Sequence, residues 1–297
     1  MKTLVIGDIH TEEKWLSELV SITVELENIA KEHKPDKIVL LGDLFSKKKP
    51  FPKEIEIATL LISVLGNHTK YIHIIEGNHD SSTPDTNSIN YLKYFPRTNI
   101  HHKPMLDNNI LYGHFFVDKS KYSFNHFKYT IEDLKHYRYV LLGHQHSFQE
   151  CSKNVIHLGS IRYVAFNEVE DTEKKVAIIE DGLPIEYITL TSPIKMKQVN
   201  SIKELGNISS NLKIKIKYLD FDTFKNEINL LNNFKNKFVD FQWELEFKNK
   251  EIVVGSTDTS VGNNKLVLRE LLNKWLSLIK DKETQSILTK ELAKETF

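Results

Sequence analysis

The chain has 297 residues, long enough to bury one large core and a smaller one. Lys plus Arg and Asp plus Glu both number 40, so the formal net charge is +0 and bulk charge points to no nucleic-acid partner; any basic face must be local. The single cysteine, Cys151, excludes an internal disulfide. No apolar run approaches the ~20 residues that span a bilayer, and the opening run is too short for a signal segment, so the expectation is an intracellular, cytoplasmic protein with no membrane association.

Thr3 to Ile6 reads as a buried strand, and Trp15 to His33 repeats apolar residues at helical spacing until Pro35. Lys37 to Leu41 is the second strand, Pro52 to Leu65 the second helix and Tyr71 to Ile75 the third strand. Strand, helix, strand in this order implies a largely parallel sheet with ligands beyond the carboxyl ends of its strands. Residues 81–104 are turn-rich, with a short helix near Ile89 to Tyr94. Residues 115–129 hold six aromatics and His126, read first as a loop packing its rings on the core and otherwise as a loop that contacts substrate. Further strands are expected at 139–142, 155–158, 174–180 and 185–191, the last two joined by the turn Asp181-Gly182-Leu183-Pro184.

The pattern changes after residue 192. Leu212, Ile214, Ile216 and Tyr218 alternate with Lys213, Lys215 and Lys217, a helix pattern follows from Asp222, and Val239 to Phe247 alternates again. This predicts a small strand-helix-strand domain whose sheet has one covered face. Its lysine row has two readings, a solvated face or a phosphate-tracking face. The expected organisation is a domain over 1–192, a small α+β capping domain over 193–250, a polar linker over 251–264 and a helical tail over 265–297. The tail's stripe of Leu266, Leu268, Leu271, Leu272, Trp275, Leu276 and Ile279 suits docking either on its own protein or on a partner.

The chemistry lies at the strand ends. Five times an apolar strand stops at glycine and then offers a metal-ligand side chain: Gly7-Asp8-Ile9-His10, Gly42-Asp43, Gly77-Asn78-His79-Asp80, Gly113-His114 and Gly143-His144-Gln145-His146. One such copy is ordinarily a turn; five are not explained that way. If the backbone stays extended past Gly143, His144 and His146 reach the same place. Asp8, His10, Asp43, Asn78, His114, His144 and His146 together supply two carboxylates, an amide oxygen and four imidazoles. That set suits two divalent ions sharing one carboxylate, with Mn²⁺ first and Mg²⁺, Fe or Zn²⁺ as alternatives. His79, beside Asn78, is then free to protonate a leaving oxygen. Asp80 either orients His79 or caps the following turn. His33, His68, His73, His101, His102, His126, His136 and His157 fit no motif.

These motifs resemble the calcineurin-like metallophosphoesterases in full. The resemblance implies an α/β sandwich of mixed sheets flanked by helices, one metal held by Asp8, His10, Asp43 and His146, another by Asp43, Asn78, His114 and His144, and His79 as the catalytic histidine. A narrower resemblance, carried by Gly42-Asp43-Leu44-Phe45 with Pro50 and by Leu158-Gly159-Ser160-Ile161-Arg162 with Phe166 and Glu168, is to the SbcD-type nuclease subunit, in a compact form similar to phage-encoded members. It implies a Mn²⁺-dependent exo- and endonuclease of DNA repair and recombination, a homodimer, a DNA-binding cap, and a tail that docks on an SbcC-type coiled-coil ATPase. Lys47, Lys48, Lys49, Arg162, Lys213, Lys215 and Lys217 are the expected DNA contacts. The chain departs from that group at Ser46, where a DNA-facing histidine is usual. The alternative function is another phosphoesterase of the same fold, acting on a protein, nucleotide or small phosphate ester.

Overall fold

The computed structural model describes residues 1–83, 86–123, 126–171, 173–206, 208–219, 221–231, 233–234 and 237–245. The expected linker and helical tail therefore lie outside the described residues. In chain order come β1 (Lys2–Ile6), α1 (Leu16–His33), β2 (Lys37–Leu40), α2 (Pro52–Gly66), β3 (Tyr71–Ile75), β4 (Ser81–Thr83), β5 (Thr86–Asn87), β6 (Thr98–His101), β7 (Met105–Asp107) and β8 (Ile110–His114). Then follow α3 (Ile131–Leu134), β9 (Tyr139–Gly143), β10 (Gln149–Glu150), β11 (Val155–His157), β12 (Lys174–Glu180), β13 (Glu186–Leu190), β14 (Met196–Val199), β15 (Lys213–Tyr218), α4 (Phe221–Leu231) and β16 (Asp240–Leu245).

Two sheets form the core. The six-stranded sheet runs β13-β12-β1-β2-β3-β6, parallel from β1 to β6, with β12 and β13 antiparallel at one edge. The five-stranded sheet runs β10-β11-β9-β8-β7, with β8, β9 and β11 parallel. Side-chain alternation divides each central strand between two cores. Leu4, Ile6, Ile38, Leu40, Ile72 and Ile74 pack with α1 and α2. Val5, Val39, Leu41 and Ile75 meet Tyr112, Leu141 and Ile156 of the second sheet. The covered middle of such strands needs apolar side chains on both faces, which is why Leu4 to Ile6 of β1 and Ile38 to Leu40 of β2 read as apolar runs. On the far side of the second sheet, Phe115, Val117 and Leu134 pack against Leu111, Val140 and Leu142, so the segment after His114 does lay rings on the core.

The helices follow the expected spacing with one difference: Val20 and Val24 of α1 face outward, while Glu18 of the same helix is buried. Lys34 takes the left-handed C-cap conformation just before Pro35. No helix among the described residues is long and apolar enough to cross a membrane.

β14, β15 and β16 form a third, all-parallel sheet with α4 between β15 and β16. Ile214, Ile216 and Tyr218 are buried on one face, as alternation requires. The opposite face is not simply solvated. Lys213 is fully buried, its Nζ 2.9 Å from Glu18 Oε2 and 3.0 Å from the Tyr163 carbonyl, above the Trp15 ring. Lys215 is half-buried and pairs with Glu244 at 2.8 Å. Glu25 accepts from the amides of Thr191 and Ser192, and Glu18 from that of Ile194, fastening the start of this region to α1. Lys213 is thus a buried fastener and not a DNA contact, because an ammonium taken from water is stable only against a carboxylate and further acceptors.

Candidate active site

The strand-end loops meet at the carboxyl ends of the parallel strands. Two groups of metal-capable side chains lie side by side: Asp8, His10 and His146, and Asp43, His114 and His144, the ligand atoms of each group within 4.8 Å of one another. Asp43 Oδ2 faces both groups, 3.6 Å from His10 Nε2 and 3.3 Å from His114 Nε2. Asn78 Oδ1 lies 3.0 Å from His114 Nε2, on the side of the second group.

The backbone that presents these groups is strained. His10, Asp43 and His144 take φ of 52°, 47° and 77°, left-handed values that residues with a Cβ rarely adopt. His144 therefore leaves the extended path expected after Gly143, and the two imidazoles of Gly143-His144-Gln145-His146 go to different groups instead of one. The strain is held by hydrogen bonds: the amides of Ile9 and His10 donate to the Asp43 carbonyl, and the His144 amide donates to both Asp8 oxygens at 3.0 and 3.1 Å. Two of the glycines are required by close approach. A Cβ on Gly42 would lie 2.5 Å from His114 Nδ1, and one on Gly143 would lie 2.4 Å from Asp8 Oδ1.

The donor set suits a cation. Asp8 is completely buried; burial raises its pKa, the His114 charge opposes this, Asp43 adds to it, and the balance is about 7. For Asp43, burial acts upward, but hydrogen bonding and charge from His114 and then the charge of His10 prevail and hold it well below the ordinary carboxylate value. Burial lowers the pKa of His10, and burial together with the nearby His114 lowers that of His144 to about 4. His10 Nε2 and His146 Nε2 lie 2.9 Å apart, two nitrogens aimed at one point. Burial would lower His114 as well, but the Asp8 and Asp43 carboxylates outweigh it and raise its pKa to about 9, and Glu168 and Asp8 likewise raise His146 against burial. Two neutral imidazoles, His10 and His144, and two that draw on the carboxylates for a positive charge fit divalent-ion ligation, and the absence of thiolate fits Mn²⁺, Fe or Zn²⁺.

His79 stands beside the first group, its ring centroid 5.3 Å from that of His10. Its Nδ1–H donates to the Ser46 carbonyl at 2.9 Å, which leaves Nε2 as its other functional nitrogen. Asp80 does not orient it. The buried Asp80 carboxylate accepts from the amides of Gly77, Leu44 and Phe45 and so caps two of the loops.

Three residues carry roles that the sequence alone did not assign. Glu168 Oε1 accepts from His146 Nδ1 at 3.0 Å, and its Oε2 meets Lys174 Nζ at 2.6 Å. Burial would raise its pKa, but His146 and Lys174 outweigh that and hold it at about 2. A carboxylate behind a metal-ligating histidine fixes the tautomer and the ring plane. Arg162, expected on DNA, is fully buried and donates from Nη2 and Nε to the His10 carbonyl at 2.8 and 3.2 Å. It supports the strained His10 backbone and is not a surface cation. His157, which fits no motif, is buried behind Gly143; burial lowers its pKa to about 4, so it is neutral. Arg162 and Glu168 stood in the motif that carries the narrower resemblance, without these roles, and nothing local marked His157. Lys47, Lys48 and Lys49 are exposed, directly after Ser46.

The calcineurin-like phosphoesterase family model matches residues 1–181, more than half of the chain. The chain belongs to this family. Calcineurin-like phosphoesterases are metal-dependent hydrolases, and the mixed sheets flanked by helices are the fold expected of one. No curated protein matches the sequence. Among solved structures, the nuclease MPE of Pseudomonas putida is similar, at 12% identity and a TM-score of 0.34, with 59% of this chain and 83% of that chain covered.

Proposed function

We propose that this phosphoesterase is a Mn²⁺-dependent DNA nuclease, acting as the nuclease subunit of an SbcCD-like repair or recombination complex. The observation that carries the reading is one loop with two roles. Ser46 holds His79 through its carbonyl, and the next three residues are the exposed lysines Lys47, Lys48 and Lys49. A sugar-phosphate backbone crossing those lysines passes beside His79 and the two ligand groups. Lys119, Lys121 and Lys128, exposed on the segment that follows His114, add further positive charge. Asp8, His10, Asp43 and His146 would hold one ion, and Asp43, Asn78, His114 and His144 the other. Such an ion pair supplies an activated water and neutralises developing phosphoryl charge. The protein's own residues do the rest. Asp43 sets the spacing between the two groups, Glu168 and Arg162 hold His146 and His10, and His79 gives a proton from Nε2 to the leaving oxygen.

The homodimer and the ATPase-binding role of residues 265–297 belong to the same proposal. Purified protein with Mn²⁺ is offered labelled single- and double-stranded DNA beside a generic phosphodiester. Mn²⁺-dependent cleavage of DNA supports the reading. Turnover of the generic ester with DNA left intact favours a phosphoesterase of small or protein-borne phosphate esters.

A further inference from the structure

His157 is the last residue of β11 and is completely buried. Its Nδ1 lies 3.0 Å from the Gly143 carbonyl oxygen, which can only accept, so Nδ1 carries the proton. Nε2, 2.7 Å from Ser120 Oγ, is then a bare acceptor and takes the hydroxyl proton. Ser120 Oγ in turn accepts from the Val117 amide at 2.8 Å. Every proton from Val117 to Gly143 has one place, and each bond polarises the next in the same direction.

The ends of this chain of bonds fall on two ligand-bearing segments. Val117 and Ser120 follow His114 at the end of β8, and Gly143 precedes His144 at the end of β9. The Gly143–His144 peptide is gripped from both sides: its carbonyl accepts from His157, and its N–H donates to both oxygens of Asp8. A peptide plane held at oxygen and at hydrogen cannot rotate, and this one launches His144 at a φ of 77°. Phe116 fills the space between the two rings, with centroids 4.1 Å from His144 and 6.2 Å from His157.

We propose that the buried Ser120–His157 pair is a positioning device for the second ligand group, holding the His144 imidazole against His114 and Asp43 so that a divalent ion need not order it. The inference rests on the reading of Asp43, Asn78, His114 and His144 as metal-holding, and a single experiment separates the two. Mn²⁺ alone is titrated into the full-length protein by calorimetry. The electron paramagnetic resonance spectrum of bound Mn²⁺ is recorded, and the melting temperature is measured without metal. Wild type is expected to take two Mn²⁺ with an exchange-coupled spectrum. His157→Ala, which removes both hydrogen bonds, is expected to weaken one of the two ions by about 10–100-fold and to convert the spectrum to that of an isolated ion at low Mn²⁺. His157→Asn keeps a donor where Nδ1 stood, so it recovers most of that affinity, and Ser120→Ala falls between. Two results overturn the proposal: His157→Ala melting lower without metal while binding both ions with wild-type affinity, or His157→Asn binding no better than His157→Ala. If His157→Ala does not fold, Ser120→Ala and His157→Asn decide, and wild-type affinity in both overturns it. A wild type that takes up fewer than two Mn²⁺ overturns the metal-holding reading itself, before any variant is compared.

Discussion

The loop after Ser46 and the strand β15 each carry three lysines, and the fold uses the loop lysines and the first strand lysine, Lys213, in opposite ways. Lys47, Lys48 and Lys49 stand in solvent; Lys47 lies over the Phe51 ring, with its half-exposed ammonium 3.8 Å from the buried Glu54 carboxylate. On β15, Lys213 is sealed against Glu18, with Arg162 Nη1 also 3.8 Å from the same carboxylate. Arg162 passes this network on to the His10 carbonyl. One set of charges is available to a ligand. The buried set of Lys213, Glu18 and Arg162 is structural and ends at the candidate metal site. A lysine's role is set by whether its ammonium keeps its water, and that depends on what packs over it.

The largest expected effect tests the buried side of this contrast. Lys213→Ala leaves Glu18 and Arg162 buried with a charge removed, and should cost about 3–5 kcal/mol of stability. Thermal melting checks it. A wild-type melting temperature in Lys213→Ala would mean that the third sheet is not fastened through this lysine. On the loop side, His79→Ala should slow Mn²⁺-dependent phosphodiester cleavage by ~10²–10⁴-fold while metal content stays at the wild-type level. Metal analysis beside the rate separates an acid from a ligand, since a ligand would lose ions in step with activity.

A middle-sized effect belongs to Glu168, part of the same buried charge set. Its folded pKa, about 2, lies below the ordinary glutamate value of 4.5. The stabilisation it gives is therefore present above about 4.5 and is lost as pH falls from there toward 2. Glu168→Gln should remove that acid limb, a change on the order of 2 kcal/mol between about pH 6 and about pH 3 in urea unfolding. Equal acid sensitivity in the variant and wild type would place the acid-labile group elsewhere. The smallest stability effect is expected for Lys47, Lys48 and Lys49 changed together to Gln, within about 0.5 kcal/mol of wild type. The same variant should flatten the salt dependence of duplex DNA binding, by about 0.9 in log–log slope for each phosphate that the loop no longer neutralises. An unchanged slope would leave these lysines as plain solvated charge.

The strand-glycine-ligand pattern was legible because its causes are local. A strand buried on both faces must be apolar through its covered middle, and the residue that follows it must let a ligand from another loop approach. Gly42 and Gly143 stand where no Cβ fits. The division of ligands into two groups followed from the family resemblance and not from spacing. The expectation of extended backbone past Gly143 failed because the Asp8 carboxylate, 136 residues away in sequence, captures the His144 amide and favours a left-handed φ.

Apart from the short elements β4 to β7, α3, β10 and β14, the sequence by itself determined the main element types, the parallel heart of the larger sheet and the residues able to ligate metal. These depend on alternation, helical spacing and side-chain chemistry, all of which act over a few residues. Only the tertiary structure decided which charged groups lose their water. Lys213 finds Glu18 across 195 residues, Arg162 finds the His10 carbonyl across 152, and His157 finds Ser120 across 37. Desolvation is a property of the assembled surroundings, so the same lysine, arginine or histidine is a surface charge or a buried support according to what folds over it.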